Sequence, residues 1–120
     1  MDYFNHYIES YVHNGGIGVL IELDVSDSFA TRADVFKVLA SDLAMQVAAM
    51  NPDGVEDLLS QPFVKDPEQT VDQRISQVAE ELHSKVLVRR FVRWSAEPQK
   101  PSFTEPPKTP AVIYDFRKAR

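Results

Sequence analysis

Three histidines and a pair of adjacent glutamates are the residues of this chain that could take part in acid–base chemistry or bind a metal ion. His6, His13 and His83 do not show the spacing of a metal-ligand motif, and the chain contains no cysteine. Glu80 and Glu81 are neighbours in a predicted helix, so their side chains point in different directions and do not form a carboxylate dyad. The sequence also lacks a glycine-rich phosphate loop and a nucleophile motif. We therefore expect no catalysis, no metal site and no cofactor.

Three arginines of the predicted last strand are the other group with a candidate chemical role. Arg89, Arg90 and Arg93 would suit a basic stripe that binds an acidic protein or RNA phosphate. Alternatively, they pair with nearby acids, for which Glu80, Glu81 and Asp66 are candidates. The acidic character of the surrounding sequence favours pairing.

Charge is unevenly distributed along the chain. Residues 1–95 carry eight lysines and arginines against fifteen aspartates and glutamates, while residues 96–120 carry five against three. Phosphate repels an acidic body, so the charge favours a protein partner over direct contact with nucleic acid. Apolar stretches fall well short of the roughly 20 residues that cross a bilayer, and the N-terminus lacks the pattern of a secretory signal. We expect no membrane contact and a cytoplasmic location.

The positions of the prolines predict the domain organisation. Five of the eight prolines lie within residues 98–110. Proline-rich polar sequence favours extended conformations and buries little surface. A chain of 120 residues has room for a single packed core. We predict one domain over residues 1–95 and an extended, proline-rich C-terminal tail over residues 96–120.

An alternating pattern near the N-terminus predicts a β-hairpin. Residues 7–13 and 17–23 are rich in aromatic and β-branched side chains, and they flank Asn14-Gly15-Gly16, which can adopt positive φ. The odd-numbered apolar residues from Ile17 to Leu23 are expected to face the core.

Helical spacing follows the hairpin. One apolar stripe comprises Phe36, Leu39, Ala40, Leu43, Val47 and Met50. Thr31 and Asp34 are expected to cap this helix, and Asn51-Pro52 to end it. A capping box from Thr70 to Gln73 predicts a second helix.

Residues 85–95 have the composition of a β-strand. We expect Val86, Val88, Val92 and Trp94 to share its inward face. The predicted fold class is α+β, a small antiparallel β-sheet packed against two main helices.

Three motifs in a fixed order resemble the core domain of translation elongation factor Ts, the nucleotide-exchange factor for elongation factor Tu. They are residues 13–22, the helical run 42–52 and residues 61–67, and the strand-like residues 86–93 follow them. The resemblance covers roughly residues 7–95 and implies the fold of that core domain. It also implies a shortened form, which lacks the family's N-terminal helical module and the long helical hairpin between the Asn-Pro and Gln-Pro-Phe motifs.

The resemblance implies a partner-binding loop before the first helix. In the family, a Thr-Asp-Phe-Val motif presents an aromatic ring that wedges between helices of elongation factor Tu and disturbs its nucleotide site. The implied contact residues here are Asp27, Ser28, Phe29, Ala30 and Arg32. Phe29 and Arg32 match the family, whereas the other three depart from it. Alternatively, Phe29 packs as a hydrophobic staple on the first turn of the helix.

Two further motifs carry alternative interpretations. The hairpin tip, His13, Asn14, Gly15 and Gly16, either serves the turn alone or also contacts a partner. Phe63 and Val64 of the Gln-Pro-Phe-Val motif are interpreted as structural anchors of their loop.

The resemblance implies an elongation factor Ts-like protein that binds elongation factor Tu, or a related GTPase, and promotes GDP release without covalent chemistry. The alternative is a degenerate domain that serves as a structural or regulatory subunit of a ribosome or another translation assembly, to which the tail would dock. A homodimer is a further expectation. The location would be the cytoplasm or an organelle with bacterial-type translation.

Overall fold

The computed structural model describes residues 4–96, so all of the predicted tail except Ala96 lies outside the described residues. The elements in chain order are β1 (Asn5–His13), β2 (Ile17–Val25), a 3-10 helix (Ser28–Arg32), α1 (Asp34–Met50), α2 (Val55–Ser60), β3 (Pro62–Phe63), β4 (Asp66–Thr70), α3 (Val71–Leu82) and β5 (Val86–Ser95). The predicted α+β fold is confirmed. Among residues 4–96, no helix combines the length and apolar character that a membrane span requires.

The main sheet contains three antiparallel strands in the order β1-β2-β5. The predicted hairpin joins β1 to β2, and its turn places Asn14 at φ 51° and Gly15 at φ 68°. These left-handed conformations suit Asn and Gly, which tolerate positive φ better than other residues. The amide of Gly16 closes the turn by donating to the carbonyl of His13 at 2.9 Å.

The core lies between one face of the sheet and helices α1 and α3. Val19, Ile21 and Leu23 of β2 face it, as predicted from their alternation, and each is at most 3% exposed. Phe36 of α1 is fully buried and meets the ring of Tyr7 edge to face at a centroid distance of 5.1 Å. This contact fixes α1 against β1.

The structure confirms the predicted start of α3 but not the predicted start of α1. The capping box of α3 is confirmed, because the Thr70 hydroxyl accepts from the amide of Gln73 at 3.1 Å and the Gln73 side chain accepts from the amide of Thr70. The cap predicted for α1 is wrong: Ala33 occupies the N-cap, and Thr31 lies in the preceding 3-10 helix. The 3-10 turn takes up the residues that the capping pattern assigned to the start of α1. Asn51 ends α1 in a left-handed conformation.

The last strand is confirmed, but the prediction that its valines share one inward face is wrong for its second half. Val88 pairs with Leu23 and Arg90 pairs with Glu22, so Arg89 is an extra residue in a β-bulge. An extra residue reverses the alternation beyond it. Val88 is therefore buried, whereas Trp94 is 72% exposed.

Candidate functional site

The loop between β2 and α1 presents Phe29 to solvent. The Phe29 ring is 82% exposed, although its neighbour Ala30 is only 3% exposed. The staple interpretation is therefore wrong, because the ring does not pack against the first turn of α1. Ala30 was predicted to contact a partner, but its side chain lies in the core, where it anchors the loop.

Hydrogen bonds to the start of the last strand hold this loop in place. The hydroxyl oxygens of Ser26 and Ser84 are 3.1 Å apart, and the Ser84 hydroxyl accepts from the amide of Asp27 at 3.2 Å. The Ser26 hydroxyl accepts from the amide of Lys85 at 2.8 Å. The loop is thus fixed at one end by polar contacts and near its centre by Ala30.

The 3-10 helix sets the direction of the Phe29 side chain. The Thr31 hydroxyl donates to the carbonyl of Ser28 at 2.9 Å, and the amide of Ala30 donates to the carbonyl of Asp27 at 3.1 Å. Ser28 and Asp27 are themselves exposed, as is Arg32. We call the exposed residues Asp27, Ser28, Phe29 and Arg32 the Phe29 surface. It is an aromatic ring flanked by charged and polar groups.

The structure does not bring the hairpin tip and the Phe29 surface together. His13, Asn14 and Gly15 are exposed at one end of β2, and the Phe29 surface follows its other end. Nine strand residues at about 3.3 Å each separate the two sites by about 30 Å. At the tip, the Tyr11 hydroxyl and Nδ1 of His13 are 3.1 Å apart. If both the tip and the Phe29 surface bind the same partner, they contact parts of it that lie about 30 Å apart.

Arg89 and Arg90 of β5 pair with acids that the sequence analysis did not identify, whereas Nε of Arg93 donates to the carbonyl of Ala48 at 3.1 Å. Nη1 of Arg89 lies 3.2 Å from Oδ2 of Asp24, and Nε of Arg90 donates to Oε1 of Glu22 at 2.7 Å. Asp24 is fully buried, and Nδ1 of His6 lies 2.6 Å from its Oδ1. The contacts of Arg89 and Arg90 use two of the three positive charges that an RNA-binding stripe would need.

The same group of residues has the composition of a metal site. One ligand atom from each of His6, Glu22 and Asp24 falls within a 4.8 Å span. Both carboxylates already face a guanidinium group, from Arg89 and Arg90. A cation there would compete with two resident positive charges, so the arrangement is an ion-pair network on the sheet.

Gln46 fixes the Gln-Pro-Phe-Val segment to α1. Its fully buried side chain donates to the Gln61 side chain at 3.2 Å and to the carbonyl of Pro62 at 3.0 Å, and it accepts from the amide of Val64 at 2.9 Å. Phe63 is 4% exposed, so its predicted anchoring role is confirmed. The Val64 side chain is 41% exposed, and only its backbone is held.

Replacing Gln46 with leucine should destabilise the domain. The change leaves the Val64 amide and the Pro62 carbonyl without their partner in a partly buried position, and an unsatisfied buried group costs about 1–3 kcal/mol. We expect the free energy of unfolding, measured by denaturant titration, to fall by about 2 kcal/mol or more. Gln77→Leu is the matched control, because Gln77 is exposed on α3 and its replacement should change stability little. Equal stability of both variants would contradict a structural role for Gln46.

Comparison with known proteins identifies the family. A family model described as elongation factor TS matches residues 1–57. The elongation factor Ts of a Nostoc species is 40% identical over 89 residues, which are 73% of this chain and 28% of that protein. The elongation factor Ts of Desulforamulus reducens is 32% identical over 133 positions, covering 72% of this chain and 61% of the relative. The elongation factor Ts of Moorella thermoacetica is 32% identical, and the match covers 72% of this chain and 66% of that protein.

These matches, together with the α+β fold, place the chain among translation factors. It belongs to the elongation factor Ts family. The chain spans less than two thirds of the length of these relatives.

The alignments differ in length in an informative way. The match to the Desulforamulus protein spans 133 positions, which is longer than this whole chain, so that relative carries residues within the matched region that have no counterpart here. The match to the Nostoc protein spans 89 positions over 73% of the chain and leaves no room for a comparable insertion. The shortened internal region is therefore shared with some members of the family.

Proposed function

We propose that this chain binds elongation factor Tu, or a related GTPase, through the Phe29 surface and promotes release of GDP. The observation that carries the proposal is the 82% exposure of the Phe29 ring on a loop held by Ser26, Ser84 and Ala30. Membership of the elongation factor Ts family supports the choice of partner. The chain would act through contact alone, without a covalent step, in the cytoplasm.

The exposed ring supplies the free energy that such an exchange factor needs. A protein weakens nucleotide binding by its partner only if it prefers the partner's conformation with a distorted nucleotide site. Burial of a phenylalanine side chain contributes about 1.5–3 kcal/mol. If only the distorted conformation has a cleft for the Phe29 ring, this free energy shifts the partner toward GDP release. The hydrogen-bonded loop needs little further ordering on binding, which preserves that gain.

A second candidate function is binding without exchange, as a structural or regulatory subunit of a translation assembly. The departures at Asp27, Ser28 and Ala30 from the family motif favour it. In that case the ring would still be buried in a partner, while the nucleotide site of that partner would stay intact. The homodimer and the docking of the tail to a host assembly remain predictions.

The domain boundary is part of the proposal. We infer that residues 1–95 form the binding domain and that residues 96–120 are a separate segment. The inclusion of β5 in the main sheet supports a boundary after Ser95.

Two measurements separate the candidate functions. Binding of the full chain to elongation factor Tu loaded with fluorescent GDP is measured by calorimetry, and GDP release is followed on the same complex by stopped flow. We expect complex formation together with faster release. Binding without faster release would support a scaffold or regulatory role instead, and the absence of a complex would contradict both forms of partnership with elongation factor Tu.

A further inference from the structure

The face of the main sheet opposite the helices carries an exposed apolar patch. Its residues are Ile8 (61% exposed), Val12 (68%), Leu20 (48%), Val92 (40%) and Trp94 (72%), which come from all three strands. We call these five residues the outer apolar face. Neighbouring apolar side chains on one sheet face that all remain exposed indicate a surface that another segment covers.

The outer apolar face has a groove at Gly18 of its middle strand. Gly18 pairs with Val12 on one side and with Trp94 on the other, so a strand position without a side chain lies between two large ones. A Cβ atom built at Gly18 would meet no atom within 4 Å. The groove can therefore accept an apolar side chain between the Val12 and Trp94 side chains.

The acidic side chains on the rest of this sheet face already have partners. Glu22 and Asp24 pair with Arg90 and Arg89, and these ion pairs occupy the end of the face away from Trp94. The uncovered apolar surface extends from the hairpin tip to Ile8, which pairs with Glu22, and no described element packs on it.

We propose that residues 111–116 of this same chain cover the outer apolar face. Their sequence is Ala-Val-Ile-Tyr-Asp-Phe, the most apolar stretch of the C-terminal segment. Val112, Ile113, Tyr114 and Phe116 offer β-branched and aromatic side chains that suit the surface of a sheet. The residues themselves lie outside the described part of the chain.

The attachment point of the segment supports this occupant. The chain leaves β5 at Ser95, one residue after Trp94 of the outer apolar face. Residues 97–110 separate this point from Ala111, and in an extended proline-rich conformation of about 3.1 Å per residue they reach about 43 Å. That is longer than a nine-residue strand of about 30 Å. The segment can therefore reach every part of the face.

Two further properties favour the chain's own segment over a separate partner. A tethered segment acts at an effective concentration in the millimolar range, which a second copy of the chain reaches only in concentrated solution. Arg117, Lys118 and Arg120 follow the apolar stretch, while residues 1–95 carry fifteen acidic against eight basic residues. Opposite charge draws the end of the segment toward the acidic body.

Trp94 allows a direct test, because it is the single tryptophan of the chain and belongs to the outer apolar face. The full chain is compared with an Ile113→Asp variant and with a chain that ends at Pro110. We expect Trp94 in the full chain to emit at shorter wavelength and to resist acrylamide quenching. Both altered chains should show red-shifted emission and severalfold stronger quenching. Circular dichroism melts establish that each chain is folded.

A matched control places the same new charge outside the segment. Ser102→Asp lies in the proline-rich part and should leave the emission of the full chain unchanged. Equal emission and quenching in the full chain, Ile113→Asp and the shortened chain would overturn the proposal. A blue shift that grows with protein concentration, together with dimer-sized light scattering, would assign the face to a second copy and would also overturn it. The test does not involve elongation factor Tu, so its failure is distinguishable from failure of the proposed function.

Discussion

Phe29→Ala should remove most of the acceleration of GDP release while leaving the fold unchanged. A buried aromatic residue at the centre of an interface typically contributes about 2 kcal/mol or more, which corresponds to about a 30-fold change in affinity. Since the ring is 82% exposed in the free protein, its loss creates no cavity in the core. We expect weaker binding to elongation factor Tu by calorimetry and near-basal release by stopped flow, at an unchanged melting temperature.

A matched control distinguishes the ring from exposed apolar surface in general. Val38 is 49% exposed on α1 and lies outside the Phe29 surface, so Val38→Ala should retain full exchange activity. Phe29→Tyr keeps the aromatic ring and should retain most of the exchange activity. Undiminished release by Phe29→Ala would remove Phe29 from the proposed mechanism, even if the chain still binds its partner.

Phe36→Ala should have the largest effect on stability. Phe36 is fully buried and packs edge to face on Tyr7, so truncation leaves a cavity between α1 and β1. Replacement of a core phenylalanine by alanine costs about 3–5 kcal/mol, a large part of the total stability of about 5–15 kcal/mol that is typical of a domain. Denaturant titration should show the midpoint falling steeply without a change of slope.

The two phenylalanines provide an internal comparison. Phe29→Ala and Phe36→Ala are the same chemical change, one on an exposed ring and one on a buried ring. Phe36→Leu keeps most of the volume and should cost much less than Phe36→Ala. If Phe36→Ala proved as stable as Phe29→Ala, the described packing of α1 on the sheet would be incorrect.

The regular elements could be predicted because local signals and burial agree there. Asn14 and Gly15 supply the positive φ of the hairpin turn, and Thr70 with Gln73 forms the capping box of α3. The alternation that ends at Leu23 identified the face of β2 that packs on the helices. In each case neighbouring residues determine the geometry, so a single sequence is sufficient.

Features that depend on residues far apart in sequence could not be predicted. The bulge at Arg89 arises where β5 pairs with β2, and the alternation within β5 alone gives no sign of it. The helical pattern of residues 42–52 gives no sign that the Gln46 side chain holds the segment that ends at Val64. For Phe29 the sequence left two interpretations open, and only the packing of its loop distinguishes them.

The extra residue at Arg89 has a consequence for comparing relatives. In an alignment with a relative that lacks the bulge, a one-residue gap placed after Trp94 rather than at Arg89 matches Val92 and Trp94 with the wrong positions of that relative's strand. Conservation scores for Val92 and Trp94 would then describe the wrong side of the sheet. Evolutionary profiles of this strand should therefore be built by superposing backbones, with the gap assigned at the ion pair between Arg89 and Asp24.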